Sequence, residues 1–296
     1  MTINQYKQQH NAIIAAHTYQ SSDIQAVADI VGDSFALAQQ AAASDADTVI
    51  LCGVRFMAEG IKILSPQKTV ILAEPTADCP MAQQIDPQRV IDFKATHPEY
   101  AVVAYINTTA ALKAIADVCV TSSSSEKIVR ALPQKNILFI PDQNLGDYVR
   151  KRVPEKNILT WNGYCPVHAE VTADDVARAK VAFPNAKVAA HPECTPEVLA
   201  LADMVGSTAA IIDYIQSSTD EILVITERGV VDKWEVDYPG RLHQVAAGKL
   251  TCKDMKRTSL ASIQKVIDGI GGEVIEMDLT LMVAARGSLE NMLRYG

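Results

Sequence analysis

The segment "IIAAHTYQSSDIQAVADIVGDS", Ile13–Ser34, decides the fold because it recurs twice along the chain. The second copy is "AVVAYINTTAALKAIADVCVTS", Ala101–Ser122, and the third is "KVAAHPECTPEVLALADMVGST", Lys187–Thr208. The copies align without a gap at offsets of 88 and 86 residues. They share an aspartate at Asp29, Asp117 and Asp203. A repeat of this length predicts three similar structural units.

Each copy has the pattern of a strand followed by a helix. A short apolar run is typical of a buried strand, and a polar turn then leads into an amphipathic helix. In the first copy this helix is predicted to carry Ile24, Val27, Ala28 and Val31 on one face. Later strands are predicted from apolar runs at residues 47–53, 68–74, 135–141, 156–162 and 220–226, with a weaker candidate at Lys233–Pro239. Strands alternating with helices indicate right-handed βαβ units around parallel sheets.

The fold class that follows is α/β, with three homologous α/β/α sandwich domains. Their parallel sheets are predicted to be related by pseudo-threefold symmetry. We predict domain boundaries at residues 1–80, 81–166 and 167–254. The C-terminal residues 255–296 are predicted to add a strand and a helix that complete the first unit.

Composition excludes several function classes. The 296 residues are 48% hydrophobic and 21% charged, which is typical of a globular chain. A net charge of −8 and an aromatic content of 5% argue against nucleic-acid binding. No apolar run approaches the length of a membrane span, and the N-terminus has no signal-peptide pattern. We therefore predict a cytoplasmic location, where thiols stay reduced.

Polar side chains follow the first strand of every repeat at matching positions. The strand ends are His17, Tyr105 and His191, and two residues further on stand Tyr19, Asn107 and Glu193. Ligands of parallel sheets bind at the carboxyl ends of strands, so these six groups are predicted to line one cavity. Hydroxyl-bearing turns that could cap helices and bind anions follow at Ser34, Ser122, Ser207 and Thr208.

Three of the six cysteines are also equivalent in the repeat. Cys79, Cys165 and Cys252 follow one another at offsets of 86 and 87 residues. Three thiols on equivalent loops can meet at one point and suit a metal centre with an open position. Zinc and an iron–sulfur cluster both remain possible from the spacing. The other cysteines lack this symmetry, and we expect Cys52 and Cys119 in the core and Cys194 beside the site without ligating.

Several motifs together resemble the quinolinate synthase family over essentially the whole chain. They include "AAHTYQ", "GVRFMAEGIKILSP", "DCPMA", "FIPDQNLG", "WNGYCPVH", "AHPEC" and "GSTAAIIDY". The resemblance implies a [4Fe–4S] cluster on Cys79, Cys165 and Cys252, with one iron open to substrate as a Lewis acid. Some members extend the last cysteine into C-x-x-C-x-x-C. This chain reads "CKDMKRT" from Cys252 and resembles the shorter branch.

The reaction implied by the resemblance is condensation of iminoaspartate with dihydroxyacetone phosphate to quinolinate, with loss of phosphate and two waters. It also implies a transient contact with the enzyme that produces iminoaspartate. Glu193, Tyr19, His17 and Tyr105 are the implied acid–base groups. The implied ligands of substrate oxygens are His17, Ser34, Tyr105, Asn107, Ser122, His168, His191, Glu193, Ser207 and Thr208. A three-cysteine zinc hydrolase and a non-catalytic binder of anionic metabolites are the alternative functions.

Overall fold

A computed structural model describes residues 1–296. It contains thirteen strands: β1 Ala12–His17, β2 Ile30–Gly32, β3 Thr48–Cys52, β4 Thr69–Leu72, β5 Tyr100–Tyr105, β6 Val118–Val120, β7 Asn136–Ile140, β8 Asn157–Thr160, β9 Lys187–Ala190, β10 Met204–Val205, β11 Ile222–Ile225, β12 Leu242–Gln244 and β13 Glu273–Val274. It contains fifteen α-helices: α1 Ile3–Gln9, α2 Ser22–Val27, α3 Ser34–Ala43, α4 Arg55–Leu64, α5 Pro87–Thr96, α6 Ala110–Ile115, α7 Ser125–Ala131, α8 Gln143–Arg152, α9 Pro166–Ala169, α10 Ala173–Ala182, α11 Pro196–Leu199, α12 Thr208–Ser217, α13 Gly229–Trp234, α14 Leu260–Ile267 and α15 Leu279–Tyr295. None of these helices is long and apolar enough to cross a membrane.

The strands form three sheets with one shared order. The first sheet runs β2-β1-β3-β4, the second β6-β5-β7-β8 and the third β10-β9-β11-β12, and all of these pairs are parallel. The prediction of an α/β chain with three homologous parallel-sheet units is therefore confirmed. The rotation that relates the units stays a prediction.

The aspartate shared by the repeats makes the same hydrogen bond in every unit. Its carboxylate accepts a backbone N–H from the first strand of the sheet, and an edge strand begins at the next residue. The distances are 2.8 Å from Ile14 N to Asp29, 2.7 Å from Val102 N to Asp117 and 2.8 Å from Val188 N to Asp203. The recurring aspartate therefore joins the edge strand to the first strand and has a structural role.

Two sequence-based predictions of local structure are wrong. Helix α2 ends at Val27, and Val31 lies in strand β2, opposite Ala16 of β1. Pairing with the neighbouring strand overrides the helical spacing that the sequence shows. The segment Lys233–Pro239 is not a strand either, because α13 covers its first two residues and turns follow. The third sheet takes β12 as its last strand instead, with Leu242 opposite Ile222 of β11.

The C-terminal segment divides between two units. Strand β13 pairs with β4 and adds to the first sheet as predicted, although in the antiparallel direction. Helix α15 instead buries Ala285, Leu289 and Met292 in the core of the second unit. The prediction that the whole segment completes the first unit is therefore wrong for this helix. The boundaries at residues 80, 166 and 254 stay predictions.

Candidate active site

A cavity of about 80 Å³ lies where β1, β5 and β9 end. All three units contribute to its wall, as the repeat predicts. Of the predicted site residues, the cavity is lined by His17, Tyr19, Ser34, Cys79, Tyr105, Asn107, Ser122, Cys165, His168, His191, Glu193, Thr208 and Cys252. Ser207 alone is not among the lining residues. Its hydroxyl accepts the N–H of Ala210 over 3.2 Å and caps α12.

The loops that carry the three equivalent cysteines to this cavity share one backbone hydrogen bond. Each unit closes its last loop with one backbone hydrogen bond, and the cysteine follows two residues after the accepting carbonyl. These bonds are Arg55 N to Ala77 O at 3.1 Å, Gln143 N to Gly163 O at 2.7 Å and Arg228 N to Leu250 O at 2.8 Å. Matching loops therefore bring Cys79, Cys165 and Cys252 to the cavity.

The chemistry of these three thiols fits a metal centre. None of the three thiols forms a disulfide. Burial raises the pKa of Cys79 to about 12 and that of Cys252 to about 11, and it raises the pKa of Cys165 well above its usual value. A buried thiol ionises readily only when a cation compensates the thiolate. All three thiols also pack against the hydrophobic core, but three of them from separate units at one cavity suit a site that binds a cation.

Two buried carboxylates orient the cysteine loops, and sequence reasoning missed both. Asp142 accepts the backbone N–H of Cys165 over 3.0 Å, and Glu227 accepts that of Cys252 over 3.2 Å. Asp142 and Glu227 stand at equivalent places, two residues after β7 and β11. In the first unit Val54 occupies that place, and Asp78 accepts the N–H of Cys79 instead over 2.7 Å. The sequence signal that could have found Asp142 and Glu227 is an acidic residue two positions after the end of a central strand.

Glu193 lies at the centre of a buried acid–base cluster. Its carboxylate is 2.7 Å from His168 Nδ1 and 3.8 Å from His191 Nδ1. Asn144 of the second unit donates to the backbone carbonyl of Glu193 over 3.0 Å and so links the second unit to the third. Burial raises the pKa of this carboxyl, but the neighbouring imidazoles of His168 and His191 and hydrogen bonds from His168 and Tyr105 lower it to about 2. Glu193 is therefore a carboxylate near neutral pH.

Burial shifts the pKa values of four other groups of the cavity, His17, His191, Tyr19 and Tyr105, toward their neutral forms. Burial, followed by the charge of Lys256, lowers the pKa of His17 to about 3. Burial also lowers the pKa of His191 to about 3. Tyr19 and Tyr105 have their pKa values raised well above the usual value by burial and by the negative charge of Glu193. No Arg or Lys lines the cavity, so anions must be held by neutral donors and helix N-termini.

Comparison with known proteins finds one family for the chain. The family model described as "Quinolinate synthetase A protein" matches residues 1–294. A quinolinate synthase of Caldicellulosiruptor saccharolyticus is 46% identical over 266 residues, covering 90% of this chain and 88% of that protein. Those of Alkaliphilus metalliredigens and Clostridium acetobutylicum are each 43% identical, over 98% and 99% of this chain.

The chain belongs to the quinolinate synthase family. Members of this family are enzymes of NAD biosynthesis. This assignment disfavours both alternatives, the zinc hydrolase and the non-catalytic binding protein.

In this quinolinate synthase family member, Cys52 and Cys119 are core residues, as predicted, and Cys194, which was expected beside the site, is a core residue as well. All three side chains are fully buried. Cys119 lies 3.3 Å from the hydroxyl of Ser288, and Cys194 packs in the core of the third unit. A group of donors that could hold a metal is formed by Cys165 with His168 and Glu193, within 4.8 Å of one another.

The contact between the first and third units of the synthase depends on a glycine. A Cβ atom at Gly229 would lie 2.9 Å from the Cα of Tyr19 and 2.9 Å from Glu227 Oε2. Lys256 Nζ also donates to the backbone carbonyl of Tyr19, and it lies 3.3 Å from the Glu227 carboxylate. The glycine therefore lets the Tyr19 turn approach the segment between β11 and α13, and Lys256 joins Tyr19 to Glu227 of that segment.

Proposed function

We propose that this chain is a quinolinate synthase that condenses iminoaspartate with dihydroxyacetone phosphate, releasing phosphate and two waters. The observation that carries the proposal is one cavity in which three thiols from three units face a buried carboxylate and two tyrosines. Carbon–carbon condensation needs a base for C–H removal, and dehydration needs an acid for a leaving hydroxyl. The family membership supports the same reaction.

The cofactor that we propose is a [4Fe–4S] cluster held by Cys79, Cys165 and Cys252. Thiolates are the usual ligands of such clusters, and three of them leave one iron without a protein ligand. When bound, this iron would supply Lewis acidity toward a hydroxyl or carboxylate oxygen. Asp142 and Glu227 would orient the ligands Cys165 and Cys252 through their backbone N–H groups.

Proton transfer is assigned to Glu193, Tyr19, His17 and Tyr105. Glu193 is ionised and hydrogen-bonded to His168, which suits a base that is oriented by a neighbour. Tyr19 and Tyr105 keep their protons at neutral pH because their pKa values are raised by burial and the Glu193 charge. They are suited to give a proton to a leaving hydroxyl, with neutral His17 beside Tyr19.

Substrate carboxylates and phosphate would be bound by neutral donors. Helices α3 and α12 begin at the cavity with Ser34 and Thr208, whose hydroxyl groups can donate to an anion. Asn107, Ser122, His168 and His191 provide further hydrogen-bonding groups on the wall. Ser207 would contribute indirectly, by capping the N-terminus of α12. The cytoplasmic location and the contact with the enzyme supplying iminoaspartate stay predictions.

The test is anaerobic purification followed by iron, sulfide and zinc analysis and an assay of quinolinate formation. The proposal expects about four iron and four sulfide per chain and product formation without an added electron donor, because the balanced reaction has no net redox change. A chain that binds one zinc, with Cys165, His168 and Glu193 among its donors, and forms no quinolinate would refute the proposal.

A further inference from the structure

Lys113 is a fully buried basic side chain that lies behind the wall of the cavity. It belongs to α6 in the second unit. Its Nζ donates to the backbone carbonyl of Thr108 and lies over the ring of Phe56, 5.4 Å from the ring centroid. Phe56 lines the cavity, whereas Lys113 does not. Burying an amine costs free energy relative to an apolar side chain, so packing alone does not account for this lysine.

The turns that follow β1 and β9 are each closed by a histidine. Its carbonyl accepts the N–H of the third residue after it, and its Nδ1 accepts the N–H of the second. These bonds are Gln20 N to His17 O at 2.8 Å, Tyr19 N to His17 Nδ1 at 3.1 Å, Cys194 N to His191 O at 3.0 Å and Glu193 N to His191 Nδ1 at 3.4 Å. The histidine therefore fixes the backbone of the site residue that follows it by two positions.

The turn after β5 in the second unit lacks both of these bonds. Tyr105 stands in place of the histidine, and its ring has no nitrogen that could accept an N–H. Thr108 N donates instead to Ile106 O over 2.8 Å. Asn107, which lines the cavity, lies between these two residues. The bond from Lys113 to the Thr108 carbonyl therefore holds the end of a turn that its own residues close less completely.

The first unit has a side-chain donor at the equivalent position. Gln25 precedes Lys113 by 88 residues, the offset between the first two copies of the repeat. Its Nε2 donates to the carbonyl of Gln20 over 2.9 Å, and Gln20 is the equivalent of Thr108. The third copy has Leu199 at this position, 86 residues after Lys113. The fold therefore accommodates either glutamine or leucine at this position of the repeat.

We propose that Lys113 is a positioning residue that holds the Asn107 turn so that the Asn107 amide meets a carboxylate or phosphate oxygen of the substrate. This inference rests on the proposed function, because that function assigns Asn107 to substrate oxygens. Burial lowers the pKa of Lys113, but the ammonium and the neutral amine both have an N–H to donate. The hydrogen bond to Thr108 is the role, and a neutral donor of sufficient length can replace the lysine.

The experiment compares Lys113→Leu with Lys113→Gln, the residues that the other two units carry at this position. The dissociation constant of quinolinate is measured by titration calorimetry on the anaerobic holoenzyme, with steady-state rates beside it. Leucine is expected to raise this constant and KM by about 10-fold, the value of one hydrogen bond to a charged group. The kcat should stay within about threefold, because the contact is made to substrate and transition state alike. Glutamine should restore both constants to within about threefold of wild type.

The route through Asn107 is tested by a double-mutant cycle. In an Asn107→Ala background, Lys113→Leu should change the dissociation constant of quinolinate by less than about twofold, because the group that it positions is already absent. Iron content and melting temperature are measured for every variant. If leucine impairs folding, Lys113→Met takes its place as the side chain without a donor.

Three results would overturn the assignment. They are a dissociation constant for Lys113→Leu within about twofold of wild type, an equal loss in the leucine and glutamine variants, and losses that multiply in the double variant. A wild-type enzyme that neither binds nor forms quinolinate would instead refute the proposed function and, with it, the role of Asn107 on which this inference rests.

Discussion

Glu193→Gln is expected to lower kcat for quinolinate formation by about 10²- to 10⁴-fold, the contribution of one positioned general base. The amide has nearly the volume of the carboxylate. Its oxygen can still accept the hydrogen bond that His168 Nδ1 donates over 2.7 Å. The backbone carbonyl of residue 193 keeps its bond to Asn144. The substitution therefore removes the proton acceptor and leaves the surrounding contacts in place.

The matched control is Glu197→Gln, four residues further on at the start of α11, where the side chain is exposed to solvent. Initial rates of quinolinate formation are measured for both variants under anaerobic conditions, together with iron content. The control should match wild type, and both variants should retain a full complement of iron. A kcat for Glu193→Gln within about threefold of wild type, at full iron content, would refute its role as the base.

Three further predictions concern the cysteines, the repeat and pH. Cys252→Ala should lose the brown absorbance of thiolate-to-iron charge transfer, whereas Cys52→Ala should keep it. A full iron content in Cys252→Ala would contradict the ligand assignment. Asp117→Ala should lower the free energy of unfolding by about 1–3 kcal/mol, because the buried N–H of Val102 loses its 2.7 Å acceptor. Urea denaturation measures this change, and an unchanged midpoint would contradict the structural role. His17 has its pKa lowered to about 3 by burial and the Lys256 charge, so the unfolded state binds the extra proton between about pH 6.5 and 3. The free energy of unfolding should therefore decrease as the pH is lowered through that window, and it should decrease less steeply in His17→Gln. Equal slopes in the two proteins would contradict the assignment.

The repeat could be found in the sequence because equivalent residues stand at nearly constant spacing. Chain spacing alone placed Cys79, Cys165 and Cys252 on matching loops, and it placed His17, Tyr105 and His191 at matching strand ends. Parallel strands carry their polar residues to one edge of each sheet, so the common cavity followed from the pattern. The helical spacing that included Val31 was misleading, because strand pairing with β1 determines the backbone there.

The sequence by itself determined three α/β units and most residues of the cavity, since both depend on local patterns that recur at a fixed period. Only the tertiary structure decided the contacts between units. Thr226 meets Tyr19 across 207 residues of sequence, and helix α15 covers the second unit although its strand β13 joins the first. A hydrogen bond depends on the distance and direction of two atoms, and residues far apart in sequence acquire that geometry only when the units pack together.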